Sequence, residues 1–332
     1  MIVRPVSIKD LDATERCANA ASAGIINLPK QRDILEQHIR DSEKAFAKTV
    51  HAPGDEDYLF VLSAGPEIMG TSGIYANIGE THPFFVYHVE STEFASFLPN
   101  PSDLRLLTPM RYPADSSELC ALYLLPQLRS GGYGKLLSLT RLLFMASFPE
   151  RFADTTIANL RGWMDQQYSP FWEGLGKRLA PIEFDDIMNR RAVSEQFVSD
   201  ILPRYPVYAA LLPSDAQQAI GQPHVNAKPA MQILFQQGFT ATKDIDPIDG
   251  GPILTAVTQQ ITTIAQSNTA TVKDITKTLL STERYIISNS RLDFRAHYGS
   301  LQFTKEDEVT ISAETATALN VTLMDTIRYI RG

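Results

Sequence analysis

The densest chemistry in this chain lies at Arg129-Ser130-Gly131-Gly132-Tyr133-Gly134, a turn of pattern R-x-x-G-x-G between an apolar run ending at Pro126 and a helical run from Lys135 to Phe148. Glycines let the backbone fold closely around an anion, and N–H groups at a helix start point at it with the helix dipole behind them. The spacing predicts a phosphate cradle. A nucleoside-triphosphate loop would read Gly-Lys-Ser/Thr, whereas Lys135 precedes Leu136, and a dinucleotide fold would carry its glycine turn after the first strand. His38, His51, His82, His88 and His297 show no metal-ligand spacing and are read as structural, so no metal is expected. His224 stands alone in the loop Gly221-Gln222-Pro223-His224, and a lone loop histidine is by itself no site. Trp163, Trp172 and Phe171 are read as core aromatics.

The elements that must position the turn follow from periodicity. Ile2 to Val6 reads as a strand, Ser7 to Ala18 and Gln31 to Thr49 as helices, Tyr58 to Leu62 and Ile68 to Tyr75 as a hairpin, and Phe84 to Glu90 as a further strand. Glu118 to Leu125 is apolar enough for a central strand, ended by Pro126. With the glycine turn, the helix to Phe148, a strand over Thr155 to Leu160 and a helix over Tyr168 to Leu179, this makes a βαβ core. Residues 183 to 219 read as a mostly helical insertion broken by Pro203, Pro206 and Pro213. A helix from Pro229 to Gln237 and strands around Asp244 to Leu254 come next. Thr, Gln and Ser crowd 255 to 272, which predicts a surface connection, and strand-like runs with one short helix follow. The expected class is α/β (α+β), with a main domain over 1–255 and a small β-rich lobe over 256–332.

Composition narrows the classes. Of 332 residues, 44% are hydrophobic and 20% charged, which fits a globular enzyme or binding protein. Thirty basic against 38 acidic residues give a net charge of −8 with no basic cluster, which argues against nucleic acid as a partner. Cys17 and Cys120, in a helix-like and a strand-like run, read as buried reduced thiols rather than a disulfide or metal framework. Met1 to Pro5 lacks the pattern of a secretory leader, and no run approaches the roughly 18 apolar residues of a membrane span. A cytoplasmic protein with no membrane contact is expected.

The strand, the Arg129-x-x-Gly132-x-Gly134 turn and the following helix resemble the coenzyme A pyrophosphate motif of the acetyltransferase (GNAT) superfamily. Further stretches narrow the resemblance to the arginine N-succinyltransferases: Ser116-Ser117-Glu118-Leu119-Cys120, Tyr168-Ser169-Pro170-Phe171-Trp172, Leu175-Gly176-Lys177-Arg178, Ile220-Gly221-Gln222-Pro223-His224, Asp249-Gly250-Gly251-Pro252 and Asp293-Phe294-Arg295-Ala296. Residues 84 to 112 and the turn Gly24 to Pro29 depart from the family pattern. The resemblance implies a GNAT-type acyl-CoA N-acyltransferase fold and transfer of succinyl from succinyl-CoA to the α-amine of L-arginine, the first step of arginine catabolism. Succinyl-CoA is then a co-substrate, no cofactor is implied, and a homo-oligomer or a pair of homologous subunits is the implied assembly. Residue by residue, the family's active-site proton donor falls on His224 and its acyl-CoA contact on Leu122, with Arg129, Gly132 and Gly134 at the pyrophosphate. The chemistry agrees, because making an amide from a thioester moves a proton from nitrogen to sulfur and an imidazole titrates near neutrality. Leu122 lies on the strand where pantetheine amides would add as a further strand. Arginine needs carboxylates for its guanidinium, for which Glu118, Asp246 and Asp249 are candidates. Succinate needs a basic partner, for which Arg161 or Lys177 are candidates. An acyltransferase for ornithine or acetyl-CoA, or a non-catalytic homologous subunit, is the alternative.

Overall fold

The computed structural model describes residues 1–332 except 22–27, 80–82, 92–103, 167, 194–195, 280 and 282. His82 and most of the Gly24 to Pro29 turn lie outside the described residues. The chain opens with β1 (Ile2–Pro5), α1 (Leu11–Ala20) and α2 (Arg32–Ala47), then β2 (Asp57–Ala64), β3 (Glu67–Ile78), β4 (Phe85–Ser91) and β5 (Arg105–Arg111). The central unit is β6 (Ser116–Leu124), α3 (Tyr133–Ser147) and β7 (Thr155–Asn159). Next come α4 (Lys177–Leu179), α5 (Phe184–Val193), α6 (Gln196–Ile201), β8 (Val207–Tyr208), α7 (Ser214–Ala219), α8 (Lys228–Gln236), β9 (Thr240–Ile245), β10 (Pro252–Val257) and α9 (Thr262–Gln266). The chain closes with β11 (Asn268–Thr276), β12 (Tyr285–Asn289), β13 (Ala296–Gly299), β14 (Gln302–Lys305), β15 (Glu308–Ser312), α10 (Ala313–Leu319) and β16 (Thr326–Arg331).

The strands form one hydrogen-bonded ladder, in the order β14-β15-β11-β16-β12-β13-β1-β2-β3-β6-β7-β10-β9-β4-β5-β8. Its middle is covered on both faces, so β2 reads Tyr-Leu-Phe-Val-Leu without alternation and is buried from Asp57 to Ser63. One face packs on α1 and α2 through Leu35, Ile39, Leu59 and Val61. The other packs on α3 through Phe60, Leu139, Leu143 and Phe144. α3 is buried continuously from Leu136 to Met145, because β12 and β16 approach it from the C-terminal residues while the central strands hold its other side.

One expectation needs correction and two parts of the sequence reading need completing. Residues 255 to 272 are not a surface connection: they hold the end of β10, α9 and the start of β11, with Thr258, Ile261, Thr263, Ala270 and Val272 buried. Their polar side chains mislead because the fold satisfies them internally: the Thr258 hydroxyl donates to the Ala153 carbonyl at 2.6 Å. β5 escaped notice because Pro109 interrupts it, yet it pairs with β4 with Pro109 opposite Tyr87. The expected helix over Tyr168 to Leu179 contains a π-helical turn, Trp172–Gly176, in which a Cβ on Gly176 would lie 2.1 Å from the Trp172 ring.

Candidate active site

β6 parts from β7 soon after they meet. The two pair in parallel only from Ser116 to Glu118, and β7 runs on against β10. On its other edge β6 follows β3 with a bulge, placing Ala121 and Leu122 opposite Ser72. Ala121 adopts a φ of 50°, and its carbonyl accepts a hydrogen bond from the Thr71 hydroxyl at 2.7 Å. The diverging strands, the first turn of α3 and residues from His224 to Leu234 enclose a cavity of about 360 Å³. Residues 119 to 124 line it along the side that β7 has left, so an extended amide chain could add to that edge.

At one end stands the glycine turn. Gly132 caps α3 with a φ of 78°, a conformation that favours glycine, and the N–H groups of the first helical turn have no preceding carbonyls to bond. Gly134 lines the cavity, and a Cβ there would meet nothing nearer than the Leu124 side chain at 3.9 Å. Arg129 donates to the Leu124 carbonyl at 3.3 Å and to Asn226 Oδ1 at 3.5 Å, linking the turn to the histidine loop. The C-terminal residues also reach this turn: the Tyr298 hydroxyl donates to the Gly132 carbonyl at 2.9 Å, and the Arg284 guanidinium stacks on the Tyr298 ring at 3.4 Å.

His224 is held by the loop beside it. Its N–H donates to the Arg161 carbonyl, the Trp163 N–H donates to the Gln222 carbonyl, both at 2.8 Å, and Gly162 bridges Pro223. The Asn226 N–H donates to His224 Nδ1 at 3.1 Å, so the neutral ring carries its proton on Nε2. Burial, and then the positive Arg161, pull the imidazole below its ordinary pKa. His224 is therefore a neutral hydrogen-bond donor near pH 7.

The floor is a buried charge cluster. Arg191 of α5 meets Asp246 at 2.6 Å, both almost wholly inaccessible, and Asp246 also accepts from Asn159 Nδ2 at 2.8 Å. Burial pushes the Asp246 carboxyl up, but Arg191 and these hydrogen bonds outweigh it and leave the group below its ordinary pKa. Asp249 accepts the N–H groups of Gly162 and Gly251 at 2.8 and 2.9 Å. Burial, then the charge of Asp246, push it up to about 7.

The cavity thus gathers His224, Leu122, Arg129, Gly134, Glu118 and Asp249 from the sequence reading, together with Asp246 and Arg161. Gly132 sits just outside the lining, as the cap of α3. Lys177 does not join them, being engaged by Glu173 at 3.0 Å and Glu183 at 2.8 Å. Phe171 and Trp172 are core residues as expected, but Trp163 is 42% exposed. Cys17 and Cys120 are buried. Among the described residues no His, Cys, Asp and Glu side chains gather as metal ligands, and no helix is long and apolar enough to cross a membrane. The sequence reading missed Tyr75, Asn159, Arg191, Asn226 and Arg141. Only Arg141 carried a signal, as the single charge in the apolar run Leu136 to Met145.

A family model described as arginine N-succinyltransferase beta subunit matches residues 1–263, and one for that subunit's C-terminal domain matches residues 268–331. The chain is 36% identical to the arginine N-succinyltransferase subunit alpha of Pseudomonas aeruginosa, over 97% of this chain and 96% of that protein. It is 37% identical to subunit beta from the same organism, over 80% and 79%. The solved structure of arginine/ornithine succinyltransferase subunit AI from Pseudomonas aeruginosa superposes with a TM-score of 0.87 at 33% identity, covering 99% of this chain and 98% of that one. Fold and sequence agree along the whole length, and the protein belongs to the arginine N-succinyltransferase family, acyltransferases of GNAT-like fold.

Proposed function

We propose that this chain transfers succinyl from succinyl-CoA to the α-amine of L-arginine, giving N2-succinyl-L-arginine and CoA. The single observation that supports it most is one cavity joining a glycine-capped helix start, the open edge of β6 and His224. In this reading the pyrophosphate rests on the first turn of α3 with Arg129 beside it, and pantetheine runs along β6 past Leu122. The neutral amine attacks the thioester carbon, the C–S bond breaks as the tetrahedral intermediate collapses, and the proton lost by nitrogen ends on the CoA sulfur. His224 is the proposed hydrogen-bond donor to that sulfur: its Nε2–H steadies the negative charge growing there and stays on the ring, while the ammonium proton of the intermediate passes to the sulfur. Glu118, buried in the cavity lining beside the open edge of β6, is the first choice for the guanidinium. No cofactor is needed for these steps, and we place them in the cytoplasm, where acyl-CoA thioesters are used. The two Pseudomonas relatives are named as alpha and beta subunits, which supports an assembly of identical or paired homologous chains. The division into a domain over 1–255 and a lobe over 256–332 is kept as part of this proposal.

The test is release of free thiol by the purified chain with succinyl-CoA and L-arginine, beside L-ornithine and acetyl-CoA. Turnover should be fastest with the first pair. Preference for acetyl-CoA or ornithine would replace the named substrates, and turnover only after a homologous subunit is added would make this chain one half of an enzyme.

A further inference from the structure

A succinyl thioester differs from an acetyl one by carrying a carboxylate into the acyl end of the cleft. A carboxylate enclosed there needs a cation and hydrogen-bond donors, or the cost of desolvation goes uncompensated. Besides Arg129 at the glycine turn, three guanidiniums line the cavity: Arg141, Arg161 and Arg191. Arg191 is committed to Asp246. Arg161 lies in the field of Asp249 and Asp185. Arg141 is 2% exposed, as buried as Arg191, yet among the described residues no carboxylate forms an ion pair with it. Its contacts are neutral acceptors at long range: the Cys120 carbonyl at 3.3 Å, the Ser138 carbonyl at 3.4 Å and Ser138 Oγ at 3.1 Å. Burial pulls this guanidinium down to about 10, as expected of a cation lacking its counter-ion.

Its place in the cleft fits an acyl terminus. Arg141 lies two turns into α3, roughly 12 Å along the axis from Tyr133. Its bond to the Cys120 carbonyl holds it at the β6 residue just past the bulge, on the far side of Leu122 from the glycine turn. A donor with its pyrophosphate on the turn and its pantetheine beside Leu124 and Leu122 therefore carries its acyl group toward Arg141.

We propose that Arg141 receives the terminal carboxylate of the succinyl group and so sets the choice of acyl donor. The inference rests on the succinyl-CoA reading above and names the residue that reads the acyl group. The competing role is structural, with Arg141 only stitching α3 to the bulge of β6.

The experiment compares wild type and Arg141→Met with L-arginine and either succinyl-CoA or butyryl-CoA, which has the same carbon count and no carboxylate. For succinyl-CoA, kcat/KM should fall roughly 10²–10³-fold, as when one partner of a buried charge pair is removed. The fall with butyryl-CoA should be far smaller, and Arg141→Lys should restore part of the succinyl preference. Equal losses with both donors in a folded variant, or an unchanged preference, would overturn the inference while leaving the succinyl-CoA reading intact. A wild type without turnover on succinyl-CoA, alone and with a homologous subunit added, would overturn both. If the methionine variant does not fold, a crystal structure of the wild type with a non-transferable succinyl-CoA thioether decides. A carboxylate within hydrogen-bond distance of the Arg141 guanidinium supports the inference, and one on Arg161, Arg191 or solvent overturns it.

Discussion

At the mouth of the cleft the groups proposed to hold the pyrophosphate are main-chain N–H groups of a glycine turn, half open to solvent. At the floor the charged groups are buried side chains, the guanidiniums of Arg141 in α3 and Arg191 in α5 and the carboxyls of Asp246 and Asp249 in the loop after β9. The mouth owes its charge to the direction of a helix, which no distant residue need supply. The floor depends on contacts between residues far apart in sequence, such as Arg191 and Asp246. A binding site of the first kind is robust to neighbouring change and weakly selective among phosphate carriers. The second kind is fragile in stability and selective, because each buried charge lacks water to replace a lost partner.

Removing His224, which joins the two regions, should have the largest effect. His224→Ala should lower kcat by about 10²–10⁴ with little change in acyl-CoA affinity, the usual worth of a positioned donor. Because burial and Arg161 depress the imidazole pKa, the ring is neutral at pH 7. Protonation would set a second N–H at Nδ1 against the Asn226 N–H, so the rate should fall as pH drops below the lowered value. A pH–rate profile of both proteins checks this. A variant with an unchanged profile would return His224 to a structural role.

Breaking the floor should cost stability. Arg191→Met leaves Asp246 buried without its cation and should lower the unfolding free energy by about 3–5 kcal/mol, read from urea melts at pH 7. Without Arg191 the folded carboxyl pKa rises above its unfolded value. The loss should therefore be largest at neutral pH and partly recovered on acidification. A melt unchanged from wild type would mean that the floor tolerates an unpaired charge as the mouth does.

At the mouth, Gly134→Asp should fold normally, because its Cβ has open space, yet weaken acyl-CoA binding by roughly 10²-fold through steric intrusion and like-charge repulsion. Gly132→Asp is the poorer probe, since a φ of 78° strains any other residue. Isothermal titration with CoA and with L-arginine separates the outcomes, and equal losses for both ligands would make the turn merely structural. The smallest effect is expected of Tyr298→Phe, which removes one hydrogen bond to Gly132 and should weaken CoA binding by a few-fold, about 0.5–1.5 kcal/mol. No change at all would mean that the C-terminal residues only border the turn.

The sequence by itself determined the strand, glycine turn and helix of the mouth, because periodicity, Pro126 and the glycines act within a few residues of one another. His224 was found only through the motif around it, since nothing in a lone histidine reveals the Asn226 N–H that sets its tautomer. Composition misjudged residues 255 to 272, where the Thr258 hydroxyl and the Thr263 N–H bond inside the protein rather than to water. Arg191 stands among acidic and basic neighbours on an ordinary amphipathic helix, and only its meeting with Asp246, 55 positions later, makes it part of the floor. Arg141 could be seen as a charge in an apolar run, but only the tertiary structure shows that it faces a cavity. Burial and ion pairing are properties of two segments brought together, and the pattern of either segment alone does not contain them.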